Sequence, residues 1–348
     1  MPGFEASKIR NFAIVGHGSS GKTILAESML VCSGAINRLG TIVDGNTVSD
    51  YHDDEHQHQI SIHTTPMFAE WKSCKLNILD APGYADFIGE TLSALRVTDF
   101  VVLTIHGAHG IELGTEQTWE RIIENGIPTI IVINALDSEN VQFDQILAEL
   151  SERFDKRFFP ITIPVNAGPG FDEVIDVLNQ SLNQYQTDGK GSFKGKELPQ
   201  EERSRVDELY QKIMESVAES DDKLLEKFFD EGELRPEEIK EGLKDAFQKQ
   251  TFIPVFAMAS ALSVGVPQLL DFISEHSPSP LDVGKSEALR SDDSKVEISI
   301  EETSPVLSVF KTVSEAHVGE LSFFRVFSGK IETGIDLKNT NRNQQERV

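Results

Sequence analysis

The octapeptide Gly16-His17-Gly18-Ser19-Ser20-Gly21-Lys22-Thr23 constrains this chain more than any other feature. It follows an apolar, β-rich run over residues 11–16 (NFAIVG) and precedes a run with helical spacing over 22–32 (KTILAESMLVC). It fits G-x-x-x-x-G-K-[ST] in the strand–loop–helix context that gives the pattern its meaning. Glycines permit a turn whose N–H groups all point inward, and the helix that follows adds its positive end. Such a loop cradles phosphate. Lys22 supplies a mobile charge for β- and γ-phosphates, and the Thr23 hydroxyl can ligate Mg2+.

The rest of the first half agrees with this start. Residues 76–79 (LNIL), 100–105 (FVVLTI) and 129–133 (TIIVI) read as buried parallel strands. Residues 86–97, 115–125 and 140–154 read as helices. The alternation predicts an α/β sheet with helices on both faces. Residues 34–65 are polar with little periodicity and read as a mobile functional loop. Pro164 opens a breaker cluster (PVNAGPG), and 198–250 is charged and helical. With 17 acidic and 10 basic residues over 196–250, this stretch reads as a solvated helical face, or more sharply as an acidic docking surface. Residues 251–257 return to strand and 267–274 to helix. Ser277-Pro278-Ser279-Pro280 marks a domain boundary. Beyond it, 305–313, 321–327 and 331–337 read as strands, with Ser328-Gly329-Lys330 as a hairpin turn.

Charge narrows the function classes. Acidic residues number 57 against 32 basic, a formal charge of −25 and a pI near 4.7. This excludes a surface that binds nucleic acid all over, though not a local basic footprint. With only Cys32 and Cys74, a disulfide framework is out, the compartment reads as cytoplasmic, and both cysteines read as small buried groups. No apolar run approaches the roughly 18 residues of a membrane span, and the N-terminus lacks a signal-peptide pattern. His52, His56 and His58 beside Asp53 and Asp54 have metal-like spacing but read as a polar loop. Phe323 and Phe324 read as core.

Three further motifs fix the nucleotide. Asp80-Ala81-Pro82-Gly83 closes the LNIL strand as D-x-x-G, with Asp80 for the Mg2+ shell and the Gly83 amide for the γ-phosphate. Asn134-Ala135-Leu136-Asp137 follows TIIVI. A carboxylate there accepts two hydrogen bonds from the N1–H and N2–H2 edge of guanine, which adenine lacks. Ser260-Ala261-Leu262 follows residues 252–257 (FIPVFA) and can offer a backbone amide to the guanine oxygen. All four stand in order at the carboxyl ends of strands, where open α/β sheets bind ligands. Asn134 and Asp137 disfavour an ATPase or kinase.

On these residues the chain resembles translational GTPases, most closely the elongation factor G family. The likeness is carried by the phosphate loop with His17, and by residues 80–87 (DAPGYADF), 254–262 (PVFAMASAL), 278–282 (PSPLD) and 318–331 (VGELSFFRVFSGKI). It covers nearly the whole chain. It implies a P-loop NTPase G domain over 1–162 and 252–280, an inserted α/β subdomain over 163–251, and an incomplete β-barrel domain over 283–348. Val348 then falls inside a β-domain, as in a chain cut at about half the family's length. The resemblance implies GTP or GDP with Mg2+, and a ribosomal partner met through ribosomal RNA and the stalk protein. It also implies a monomer away from the ribosome.

The implied nucleotide contacts are Gly16, His17, Gly18, Ser19, Ser20, Gly21, Lys22, Thr23, Asp80, Gly83, Asn134, Asp137, Ser260, Ala261 and Leu262. Thr23, Ser61 and Asp80 would hold the metal, with Lys22, Gly83 and Tyr84 at the reacting phosphate. Departures from the family pattern matter. Tyr84 replaces a histidine, and a phenol with pKa near 10 orients water only through its hydroxyl. Acid–base positioning is worth about 10²–10⁴ in rate, so slow hydrolysis is expected. Ala135 replaces a lysine whose stem covers the base, a loss of roughly 40 Å² and about 1 kcal/mol. Gly18 replaces a branched apolar residue and Ser19 an aspartate, while Ser61 keeps the hydroxyl of a threonine. A weak GTPase and a non-hydrolysing, GTP-dependent ribosome-binding switch both stay open.

Overall fold

The computed structural model describes residues 3–232, 234–290, 292, 294–315 and 319–348. Of the ranges read above, Met1, Pro2, Glu233, Ser291, Asp293 and residues 316–318 lie outside the described residues. The chain divides into two compact units, one ending at Pro278 and the other spanning Ser279–Val348.

The first unit contains, in order, β1 (Ile9–Gly16), α1 (Lys22–Cys32), α2 (Asp53–His58), β2 (Thr65–Trp71), β3 (Cys74–Asp80), α3 (Ile88–Leu95), β4 (Phe100–His106), α4 (Leu113–Glu124), β5 (Thr129–Asn134) and α5 (Phe143–Phe154). It continues with β6 (Phe158–Pro160), β7 (Thr162–Pro164), β8 (Glu173–Asp176), β9 (Ser181–Tyr185), β10 (Phe193–Lys196), α6 (Arg203–Ala218), α7 (Asp222–Glu231), α8 (Pro236–Gln248), β11 (Ile253–Ala257) and α9 (Val266–His276). The main sheet has seven strands in the order β2-β3-β1-β4-β5-β11-β6. Every neighbouring pair is parallel except β2 with β3. Helices cover such a sheet on both faces, so its central strands read as unbroken apolar runs. All six residues of β5 are buried. The chain leaves this sheet after β6 and builds an antiparallel sheet, β10-β9-β8-β7, with α6–α8, before returning as β11 between β5 and β6.

Local chemistry sets the helices of this excursion. Asp221 caps α7 by accepting from the Lys223 N–H at 2.9 Å, and Gly232 ends it with φ 77°. In α8, Pro236 opens the first turn and Glu238 accepts from the Arg235 N–H at 2.8 Å. A row of rings ties the excursion to the main sheet: Phe12 stacks on Phe100 at 5.1 Å, Phe100 meets Phe247 of α8 at 6.0 Å, and Phe247 meets Phe272 of α9 at 6.0 Å. Buried Arg10 donates to the Ile273 and Ser274 carbonyls at 3.2 and 2.8 Å, joining the start of β1 to the end of α9.

The second unit is β-rich. After α10 (Pro280–Val283) its strands are β12 (Lys285–Leu289), β13 (Lys295–Ser299), β14 (Val306–Glu315), β15 (Gly319–Ser328), β16 (Asp336–Asn339) and β17 (Gln344–Arg347). Among the described residues they pair two by two, β12 with β13, β14 with β15 and β16 with β17.

The structure corrects three expectations. Residues 65–71 form the edge strand β2, whose alternating burial the sequence reading passed over. Residues 34–65 are anchored by buried carboxylates, described below, and include α2. The turn at Gly329 does not fold β15 back on a strand at 331–337: the Gly329 N–H donates to the Glu302 carbonyl at 2.9 Å, a Cβ there would lie 2.6 Å from Pro305 N, and the next strand begins at Asp336.

The chain's acid sensitivity can be read from α9. Burial holds the His276 imidazole down to about 4 from its ordinary 6.5, against the opposing pull of Glu275. The unfolded chain therefore binds more protons across that window. Stability is complete above about pH 6.5 and is lost as pH falls toward 4, by about 3 kcal/mol for this group. Urea unfolding at pH 7 and pH 4.5 should show a loss in the native protein that shrinks by about 2–3 kcal/mol in His276→Leu.

Candidate functional site

The loop from Gly16 to Gly21 joins β1 to α1, and its glycines sit where no side chain fits. Gly16 (φ 139°) faces the Thr104 carbonyl, and Gly21 (φ 87°) faces the Asn134 side-chain amide, each too closely for a Cβ. Gly83, after β3, lies flat against the same loop: a Cβ would meet Gly16 O at 2.6 Å, Gly18 N at 2.7 Å and the Lys22 ammonium. Lys22 is buried and donates to the His17 carbonyl at 2.8 Å. Burial lowers its ammonium to about 8 from 10.5, while Asp80 and Asp50 pull the other way. A cation held so reluctantly gains from an anion placed beside it.

Asp80, at the end of β3, gathers the hydroxyls. It accepts from Thr23 Oγ1 at 2.8 Å and from Ser49 Oγ at 2.7 Å, and Thr23 Oγ1 lies 3.0 Å from Ser61 Oγ. Its second oxygen, Oδ1, is buried without a hydrogen-bond partner among the described residues. Neither oxygen of buried Asp50 has a well-formed hydrogen bond among the described residues, and the hydroxyl that stabilises it is that of Ser61. Burial, then Asp80, push the Asp50 carboxyl up to about 7 from 3.8, and burial raises Asp80 as well. The donor set is all oxygen around orphaned carboxylates, which is the chemistry a hard divalent cation such as Mg2+ takes.

The segment covering this cluster is ordered by carboxylates that sequence reasoning missed. Glu27 of α1 accepts from the Gly40 N–H at 3.0 Å and the Val48 N–H at 2.5 Å. Glu55 of α2 accepts from the Ile62 and His63 N–H groups, each at 3.0 Å. Ile42, Gln59 and Ile60 then close on the cleft of Gly18, Ser19 and Tyr84. Asp50 and Glu55 had one available signal, charge inside a segment too long to be a bare loop, and Glu27 had another, a lone acid in the largely apolar run of α1. His56 turns to the Asp50 carbonyl at 2.8 Å and His52 meets His63 edge-on at 4.6 Å. Among the described residues no group of three or more His, Cys, Asp or Glu could hold a metal ion.

The third and fourth motifs meet at Asn134. Its buried side-chain oxygen accepts from the Ser260 N–H at 3.0 Å and Ser260 Oγ at 2.8 Å. Its amide donates to the Ser20 carbonyl at 3.2 Å and approaches that of Gly21 at 3.4 Å. Ala135 takes a left-handed φ of 57°, at about 1 kcal/mol for a residue with a Cβ. The Leu136 N–H then reaches the Met258 carbonyl at 3.0 Å. Asp137 follows, half-buried, with Ala261 and Leu262 in the one-turn helix opened by Ser260.

Two predicted contacts stand apart. The His17 ring turns to Glu112, with Nε2 3.4 Å from Oε1, leaving its carbonyl to Lys22. The Tyr84 ring lies over Gly18, where a Cβ would come 2.8 Å from Cζ, and its hydroxyl is 3.5 Å from Ser19 Oγ. Gly18 and Tyr84 are thus steric complements. Gly18→Val should push the ring outward at about 1 kcal/mol, and Gly18→Val with Tyr84→Ala should recover that loss. A double-mutant cycle in thermal unfolding measures the coupling.

With this geometry in hand, the comparisons carry weight. The sequence family described as elongation factor Tu GTP binding domain matches residues 7–279. The chain belongs to that family. A crystal structure of a protein from Thermus thermophilus superposes with a TM-score of 0.86 at 28% identity, covering 98% of this chain. The chain spans about half the length of that protein, 48%.

Proposed function

Starting from that membership, we propose that this chain is the nucleotide-binding part of an elongation factor G-like protein that hydrolyses GTP slowly on the ribosome. The observation that carries the reading is the meeting of four motifs at one sheet edge, with Asn134 bonded to both the phosphate loop and Ser260. In this reading residues 1–162 and 252–280 are the G domain, 163–251 the insert and 283–348 the start of a barrel domain. The insert meets the ribosomal stalk protein, other surfaces meet ribosomal RNA, and the protein is cytoplasmic and monomeric off the ribosome.

Each residue has a task. The Gly16–Gly21 amides and Lys22 hold β- and γ-phosphate charge, and the Gly83 amide donates to the γ-phosphate. Asp80, Thr23 and Ser61 would hold Mg2+, with buried Asp50 beside them. When bound, the ion screens the phosphate charge. Tyr84 Oη orients a water. The water oxygen bonds to γ-phosphorus, the bond to the β–γ bridging oxygen breaks, and GDP leaves with that oxygen while the water's proton ends on phosphate.

Asp137 accepts from the guanine N1–H and N2–H2. Asp137→Asn loses both acceptors, so GDP affinity should fall about 100-fold or more. The new amide can donate to a 2-oxo group, so xanthosine diphosphate should bind better than to the native protein. Competitive titration of both nucleotides tests this. An unchanged preference for GDP over ADP or XDP would remove Asp137 from the base site.

The packing of Tyr84 on Gly18 favours a second reading, a GTP-dependent switch that does not hydrolyse. Single-turnover assays with and without ribosomes decide between them. Slow phosphate release, accelerated about 10²-fold in Tyr84→His, supports the enzyme. No release in either condition overturns it.

A further inference from the structure

We infer that the loop of hairpin β9–β10 is the positioning element for the turn Ser260–Leu262, acting through Ser263. The inference rests on the reading of that turn as the guanine contact.

Ser263 follows the turn with a left-handed φ of 56° and is fully buried. Its hydroxyl donates to the Gly189 carbonyl at 2.7 Å and accepts from Ser28 Oγ of α1 at 2.7 Å. One short chain of hydrogen bonds therefore runs from the phosphate-loop helix, through the base turn, to the hairpin loop. Two more anchors flank it. Gly191 (φ 70°) is pressed so closely that a Cβ would lie 2.6 Å from Cys32 Sγ and 3.0 Å from Pro267 Cγ. Buried Tyr185, at the end of β9, donates its hydroxyl to Gln268 Oε1. The hairpin thus grips Ser263, Pro267 and Gln268, the residues just after the turn, and Cys32 at the end of α1.

None of these residues belongs to the four nucleotide motifs, yet they fix where the motifs end. Ser263 holds a strained backbone with a buried hydroxyl, and a buried hydroxyl left without partners is costly. If the hairpin lifts, Ser263 loses its acceptor and the turn loses the wall that aims the Ser260 N–H at Asn134. Coupling of this kind is reciprocal: what seats the hairpin retains the base, and a bound base seats the hairpin. Cys32, beneath Gly191, reports the seating, because lifting the hairpin uncovers its thiol.

The test uses the full chain with GDP as probe. Ser263→Ala should release GDP about ten-fold faster and lose a similar factor in preference for GDP over ADP. In the native protein GDP should slow alkylation of Cys32, located by mass spectrometry, and in Ser263→Ala that protection should vanish. A general loss of fold would not be confined to Cys32. Gly191→Ala lifts the hairpin with Ser263 intact and should reproduce both effects; it decides the matter if Ser263→Ala does not fold. GDP release within two-fold of native in the folded variants, or Cys32 protection that persists in them, overturns the inference alone. A native protein without preference for GDP over ADP overturns the guanine reading and the inference with it.

Discussion

The site depends on one side chain that is almost wholly shielded from solvent. Asn134 has one amide and four polar neighbours, divided between two loops. Its oxygen takes both hydrogens offered by Ser260, and its nitrogen gives to the phosphate loop. An aspartate would repel the loop carbonyls, and a leucine would leave the Ser20 carbonyl and the Ser260 N–H and hydroxyl without the partner Asn134 gives them. The loop Gly16–Gly21 and the turn Ser260–Leu262 are thereby held at a fixed separation by one side chain, which is preorganisation in its ordinary sense.

The electrostatics are unresolved by the protein itself. Lys22, Asp80 and Asp50 are all buried, and burial moves each toward its uncharged form. Buried groups left this way gain from counter-charges placed beside them. The segment covering them is held by Glu27 and Glu55, whose carboxylates replace the backbone pairing that a strand would have supplied.

The sequence made the phosphate loop, Asp80, Gly83, Asn134 and the parallel strands legible, because each rests on a constraint that only a few residue types satisfy. Gly16, Gly21 and Gly83 are pressed against backbone or against Asn134 and Lys22, and no other residue fits. Asp50 and Glu55 were hidden because a charge in a polar stretch looks solvated until its partners fold over it, and Glu27 because its partners Gly40 and Val48 lie in that stretch and not in its own helix. Strand β2 was hidden by Pro66 and by the single alternating face of an edge strand. The Glu112 partner of the His17 ring lies on a different strand–helix connection that no local spacing reveals. In the second unit β14 and β15 were legible, whereas β12, β13 and β17 were not, and the turn at Gly329 does not say which way the chain leaves it.

The order of strands in the main sheet has a consequence in time. Strand β6 touches the sheet only through β11, which is made after the whole excursion of β7–β10 and α6–α8. During synthesis Phe158–Pro160 leaves the exit tunnel with no neighbour to pair with. At about 5–20 residues per second its partner follows on the order of 5–20 s later. For that interval the sheet ends at β5, an apolar edge open to solvent. The nascent chain has the loop Gly16–Gly21 before it can have the turn Ser260–Leu262.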